Sequence, residues 1–149
     1  MTSACVIVIG HVDHGKTALV RALTGMETDR LAEEKARGLS IALGFAHCAM
    51  AGGTLDLLDA PGHEDFIRTM VSGASGAQGA MLVVSAVEGI AAQTREHVQI
   101  ARLLQVPVAV VAVTKVDLIP EATLPARLVE IADALAAQGV TGAELVPCS

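Results

Sequence analysis

Apolar positions along the chain gather into short blocks separated by glycine-rich or charged stretches. Val6 to Ile9 and Ala80 to Val84 read as strands. Val108 to Val113 is a continuous apolar run of the kind found in a parallel sheet covered on both faces. Gly44 to Ala51 and Thr54 to Leu58 suggest a hairpin turned at Gly52-Gly53, and Leu145-Val146 begins a last strand. Between these blocks the period changes. Lys16 to Leu23 reads as a helix ending at Gly25, and Glu64 to Val71 as another, followed by a small-residue stretch from Ser72 to Gly79. Thr94 to Leu104 sets Val98, Ala101 and Leu104 at helical spacing beside Arg95, Glu96 and Arg102. Leu124 to Ala137 puts Leu128, Ile131 and Leu135 on one face. Strands alternating with helices predict an α/β fold: a mixed, mostly parallel six-stranded sheet between helices, in three layers.

The strongest chemical signal follows the first apolar run. Residues Gly10 to Thr17 read GHVDHGKT and match the phosphate-loop pattern G-x-x-x-x-G-K-[ST] at every required position. A loop that wraps a polyphosphate must turn its backbone N–H groups inward, which glycine permits. Lys16 brings a point charge to the β- and γ-phosphates, Thr17 offers an oxygen to Mg²⁺, and the helix starting near Lys16 presents its positive end. The octet alone could be a chance turn. Its place between a strand and a helix argues for a nucleoside triphosphate site.

Composition narrows the class. The chain has 149 residues, 52% apolar and 17% charged, which suits one domain with a single core and excludes a disordered tract. No apolar run approaches the about 18 residues of a membrane span, and the N-terminus lacks a signal-peptide layout. A net charge of −6 argues against broad electrostatic binding of nucleic acid by this domain itself. Cys5, Cys48 and Cys148 have no C-x-x-C spacing and read as small apolar residues of a reducing cytosol, not as a metal site.

Val-Asp-His between the loop glycines resembles the translational GTPases, which include elongation factor Tu and the bacterial initiation factors. Two further motifs extend that resemblance. Asp59-Ala60-Pro61-Gly62-His63-Glu64 looks like the second switch, and Thr114-Lys115-Val116-Asp117 is similar to the guanine-recognition motif. All three lie at carboxyl ends of predicted strands, where open α/β sheets hold their ligands. The resemblance implies a P-loop GTPase domain that binds GTP or GDP with Mg²⁺. Its nucleotide contacts carry over to Gly10, His11, Val12, Asp13, His14, Gly15, Lys16, Thr17 and Ala18, to Asp59, Ala60, Pro61, Gly62 and His63, and to Thr114, Lys115, Asp117 and Ser149. Its metal ligands carry over to Thr17, Ser40 and Asp59.

The same resemblance assigns roles. His63 falls where the family keeps its water-orienting histidine and is the expected catalytic residue; imidazole suits the task because it donates or accepts near neutral pH. Val12 and Ile41 resemble the apolar pair flanking the attacking water. Ser40 aligns with the switch threonine but lacks the methyl that stiffens it, so a plain turn serine remains its competitor. Asp13, an acid beside phosphates, could equally organise the loop through its N–H groups. Asp117 carries base choice, because a carboxylate accepts from both N1–H and the 2-amino group of guanine. Thr114 replaces the commoner asparagine, and with it the expected loss is the amide that grips the base and ties to the phosphate loop.

The branch is read from one segment. Glu33 to Gly38 resembles elongation factor Tu, but the short stretch Thr24-Gly25 with Asp29-Arg30-Leu31 looks more like the selenocysteine-specific elongation factors, as do Leu43 to Ala46 and Gln93-Thr94-Arg95-Glu96-His97, the last shared with elongation factor Tu. On its own, Asp29 to Arg37 would be a solvated charged helix. The branch implies a cytoplasmic factor, monomeric in this domain, whose full-length form delivers selenocysteinyl-tRNA to the ribosome. Alternatives are another translational GTPase or a GTP-binding scaffold that does not hydrolyse. The sequence stops at Ser149, where the family's fifth motif continues into a helix over the sheet, so the expectation is a fragment with that C-terminal helix missing.

Overall fold

Hydrogen bonding between the apolar blocks produces one six-stranded sheet, in the order β2-β3-β1-β4-β5-β6. The computed structural model describes residues 2–11, 14–26, 44–60, 67–74 and 76–149. Its strands are β1 (Thr2–Gly10), β2 (Gly44–Met50), β3 (Gly53–Asp59), β4 (Gly79–Ser85), β5 (Val108–Thr114) and β6 (Glu144–Pro147). The helices are α1 (Lys16–Thr24), α2 (Ile67–Ala74), α3 (Ala92–Leu103) and α4 (Leu124–Ala137). Among the described strands only β2 runs antiparallel to its neighbour, through the hairpin with β3; the other pairings are parallel. The expected mixed sheet is therefore present.

Alternation along β1 builds two cores. Ile7 and Ile9 join Val98 and Ala101 of α3, Ile131 and Leu135 of α4 and Ala74 of α2 on one face. Val8, one step along the strand, faces the other way, with Val20 of α1, Leu57 and Val83. Helices on both faces give the three layers. None of the described helices is long and apolar enough to cross a membrane.

Element limits differ from expectation where tertiary packing outweighs local propensity. The β2–β3 turn uses Ala51 and Gly52, and Gly53 already pairs with Met50. Helix α2 continues through Ser72 and Gly73 to Ala74, past the predicted end at Val71, because the fully buried Ala74 belongs to the core. Helix α3 begins two residues before Thr94, whose hydroxyl accepts the Ala91 N–H at 3.2 Å and ties the first turn. Residues 27–43, with Glu33 to Gly38, and the expected helix start at Glu64 lie outside the described residues.

From β1 the chain crosses to β3 on one side and returns to β4 on the other, so its direction reverses at β1. The carboxyl end of β1 is therefore the switch point at which an open α/β sheet presents its ligand crevice.

Candidate nucleotide site

The loop leaving β1 is held by close packing on β4 and by two buried histidines, His14 and His97. Gly10 has φ 149°, and a Cβ there would run into the Val83 carbonyl of β4, so this position requires glycine. Gly15, left-handed with φ 95° and ψ 22°, caps α1 and lets the helix start at Lys16. The Lys16 side chain is buried, and its Nζ donates to the His11 carbonyl at 3.1 Å. Thr17 Oγ1 donates to Asp59 Oδ2 at 2.6 Å, which brings together two of the three expected metal ligands. Ala60 is fixed beside them by its N–H bond to the Val8 carbonyl at 3.2 Å.

His14 is fully buried and works as a spacer between strand ends. Its Nδ1 accepts the Ser85 N–H at 3.2 Å, and its Nε2 pairs with Glu88 Oε2 at 2.9 Å. Burial holds the imidazole below its ordinary pKa, against the opposing pull of Glu88; the hydrogen bond from His14 in turn lowers the Glu88 carboxyl. His11, His14 and Glu88 bring ligand-type atoms within 4.8 Å of one another. With Nδ1 accepting, however, the proton of neutral His14 sits on Nε2, leaving that nitrogen no lone pair for a cation. The cluster is a hydrogen-bonded anchor.

Thr114 overturns one expectation. Its Oγ1 donates to the His14 carbonyl at 2.6 Å, so the tie from the base motif to the phosphate loop is kept by a hydroxyl in place of an amide. The shorter side chain reaches because the β5 end passes directly beneath the loop: a Cβ on Gly15 would lie 4.0 Å from Thr114. Lys115 then adopts a left-handed φ of 60°, unusual for a residue with a side chain, and turns the chain into a short 3-10 segment carrying Asp117. Asp117 is exposed at the rim of a cavity of about 280 Å³, together with His14, Gly15, Ala18, Leu19, Thr114, Lys115 and Ser149. Ala22, Leu118 and Cys148 complete its lining. The sequence presents Cys148 as a small apolar residue in a strand-like context; in the structure its N–H donates to the Val113 carbonyl at 2.7 Å and its carbonyl accepts from Val116, which places Ser149 at the cavity.

Sequence reasoning gives His97 no role at the site, only a place in the stretch Gln93 to His97 that resembles the family. In the structure His97 is fully buried on α3, and its Nδ1 accepts the Gly10 N–H at 3.0 Å. Burial, reinforced by nearby Lys16 and His11, pushes its pKa down to about 3. Of the remaining expected site residues, Val12, Asp13, Ser40, Pro61, Gly62 and His63 lie outside the described residues, as does Ile41.

Phosphate loop, acid–hydroxyl pair and the cavity rimmed by Asp117 at one switch point define a P-loop GTPase fold. Residues 2–149 match the family model of the elongation factor Tu GTP binding domain, and the chain belongs to that family. It is 48% identical to the selenocysteine-specific elongation factor of Desulfomicrobium baculatum over 94% of this chain and 22% of that protein. The crystal structure of a bacterial selenocysteine-specific elongation factor matches all of this chain and 26% of its own, with 39% identity and a TM-score of 0.94. The elongation factor SelB of Methanococcus maripaludis, solved with the GTP analogue GPPNHP, matches with 30% identity and a TM-score of 0.79 over 97% of this chain and 29% of its own. This chain thus spans between 22% and 29% of the length of these relatives.

Proposed function

We propose that this chain is the GTP-binding and GTP-hydrolysing domain of a factor that brings selenocysteinyl-tRNA to the ribosome. The observation that carries the nucleotide reading is the convergence at the β1 end: buried Lys16, the Thr17–Asp59 pair and a cavity rimmed by Asp117 meet around one loop. The likeness to selenocysteine-specific factors supports the choice of branch. Because the chain covers about a quarter of one such factor, contacts to tRNA and ribosome are assigned mainly to the rest of the full-length protein.

The donor set suits a hard divalent cation: a hydroxyl and a carboxylate oxygen lie side by side. Thr17 and Asp59, joined by Ser40, would hold Mg²⁺, which when bound neutralises charge on the phosphate oxygens. The remaining work belongs to the protein. Lys16 and the loop N–H groups hold the phosphates, Asp117 selects guanine and Thr114 keeps base and phosphate subsites in register. By resemblance to the family, Gly62 is assigned to the γ-phosphate and His63 to orienting the attacking water, with Val12 and Ile41 as the apolar pair. Phosphoryl transfer to water depends mostly on such positioning and charge stabilisation.

The test is filter retention of aminoacyl-tRNA by full-length protein carrying GTP. Selenocysteinyl-tRNA should be retained in strong preference to the same tRNA charged with serine. Equal retention of the two, with GTP bound, would remove the selenocysteine assignment while leaving the GTPase reading intact.

A further inference from the structure

Helix α3 contributes one polar ring to the buried side of the phosphate loop, and it does so at the residue where strand becomes loop. His97 Nδ1 accepts the Gly10 N–H at 3.0 Å, across 87 residues of sequence. We infer that His97 is a positioning residue for the phosphate loop, fixing the first loop peptide and thereby setting how long a guanine nucleotide is held. This inference rests on the guanine-nucleotide reading of the site.

Gly10 has no slack. It packs so closely on the Val83 carbonyl that no side chain fits. With β3 and β4 on either side of β1, the N–H of this last strand residue turns to α3 for its acceptor. One residue on, the His11 carbonyl receives Lys16 Nζ at 3.1 Å. The anchored Ile9–Gly10 peptide thus lies two peptide units before the carbonyl that receives Lys16.

The rest of the ring is hard to explain as packing. His97 Nε2 is buried with no hydrogen-bond partner among the described residues, whereas an aliphatic side chain beside Val98 and Ala101 would bring no polar atom into that setting. What the imidazole supplies in return is the acceptor facing Gly10. Burial keeps the ring neutral, so that the Nδ1 lone pair stays available at any ordinary pH.

The experiment is the dissociation rate of a fluorescent GDP analogue from full-length protein, chased with excess GDP. His97→Asn places an amide oxygen where Nδ1 was, whereas His97→Leu offers no acceptor. Release should be about tenfold faster from His97→Leu and within about threefold of wild type from His97→Asn. Wild-type release from His97→Leu, or equally fast release from both variants, would overturn the inference; the second result would reduce the ring to packing volume. Should His97→Leu fail to fold, His97→Gln replaces it with the same expectation and the same overturning results, because its amide reaches the Nε2 position and not that of Nδ1. A wild-type protein that retains no GDP would defeat the nucleotide reading itself, and this inference with it.

Discussion

Thr114 shows how one hydroxyl can stand in for an amide. Its bond to the buried His14 carbonyl is short and joins the base side of the site to the phosphate side. Thr114→Val keeps the shape and deletes the donor, leaving that carbonyl unpaired, so denaturant unfolding should show a loss of about 1–3 kcal/mol. An unchanged midpoint would mean that the bond is dispensable. The buried histidines give a second expectation, this one for acid. His14 and His97 both titrate below their ordinary value of 6.5 when folded, the second at about 3. Below pH 6.5 the unfolded chain therefore binds protons that the folded one refuses, and stability must fall as pH falls. Glu88, also lowered in the fold, adds to the loss in the same direction at lower pH. His97→Asn removes one such group and should flatten the decline between pH 6.5 and the acid transition, by up to about 1.4 kcal/mol per pH unit. A decline of unchanged slope would show that His97 titrates normally. Neither residue's task was legible in the sequence. Thr114 could be compared only with the asparagine it replaces, and His97 acts through a contact set by the crossing of α3 over β1.

At the scale of elements, the junction of β1 with β4 is where sequence and packing agree most closely. The octet demanded a glycine at its first position, and the structure supplies the steric reason in the Val83 carbonyl. Gly10→Ala should part β1 from β4 at the mouth of the site, lowering stability by several kcal/mol, about the range of core overpacking or more, and weakening GDP binding with it. A variant that melts like wild type and binds GDP equally would contradict this account of the junction. Strand identities were legible because their apolar runs are continuous or alternate with period two. Helix limits were less so: Ser72 and Gly73 have poor helix propensity, and what extends α2 is the burial of Ala74 against the sheet. The left-handed Lys115 had no sequence signal, since that conformation is ordinarily left to glycine or asparagine.

At the scale of the whole molecule, the order of the strands does what no single motif can. Phosphate loop, acidic strand end and base motif are separated by tens of residues in the chain, and the reversal of winding at β1 places them around one crevice. The expectation of a P-loop GTPase sheet was legible from motif order alone, because each motif follows an apolar run. The finer arrangement was not. That Cys148 would anchor Ser149 beside the cavity depends on β6 pairing in register with β5.

Guanine selection by Asp117 is the claim on which the functional account turns, and nucleotide competition measures it most directly. Full-length protein and its Asp117→Asn variant would each be titrated with GDP and with xanthosine diphosphate, whose 2-carbonyl replaces guanine's 2-amino donor. Wild type should prefer GDP. In the variant an amide donor can face guanine's own donors, so GDP binding should weaken by about 1–3 kcal/mol while xanthosine diphosphate gains relative to it. Equal GDP affinity in the two proteins, with no change in preference, would contradict the account.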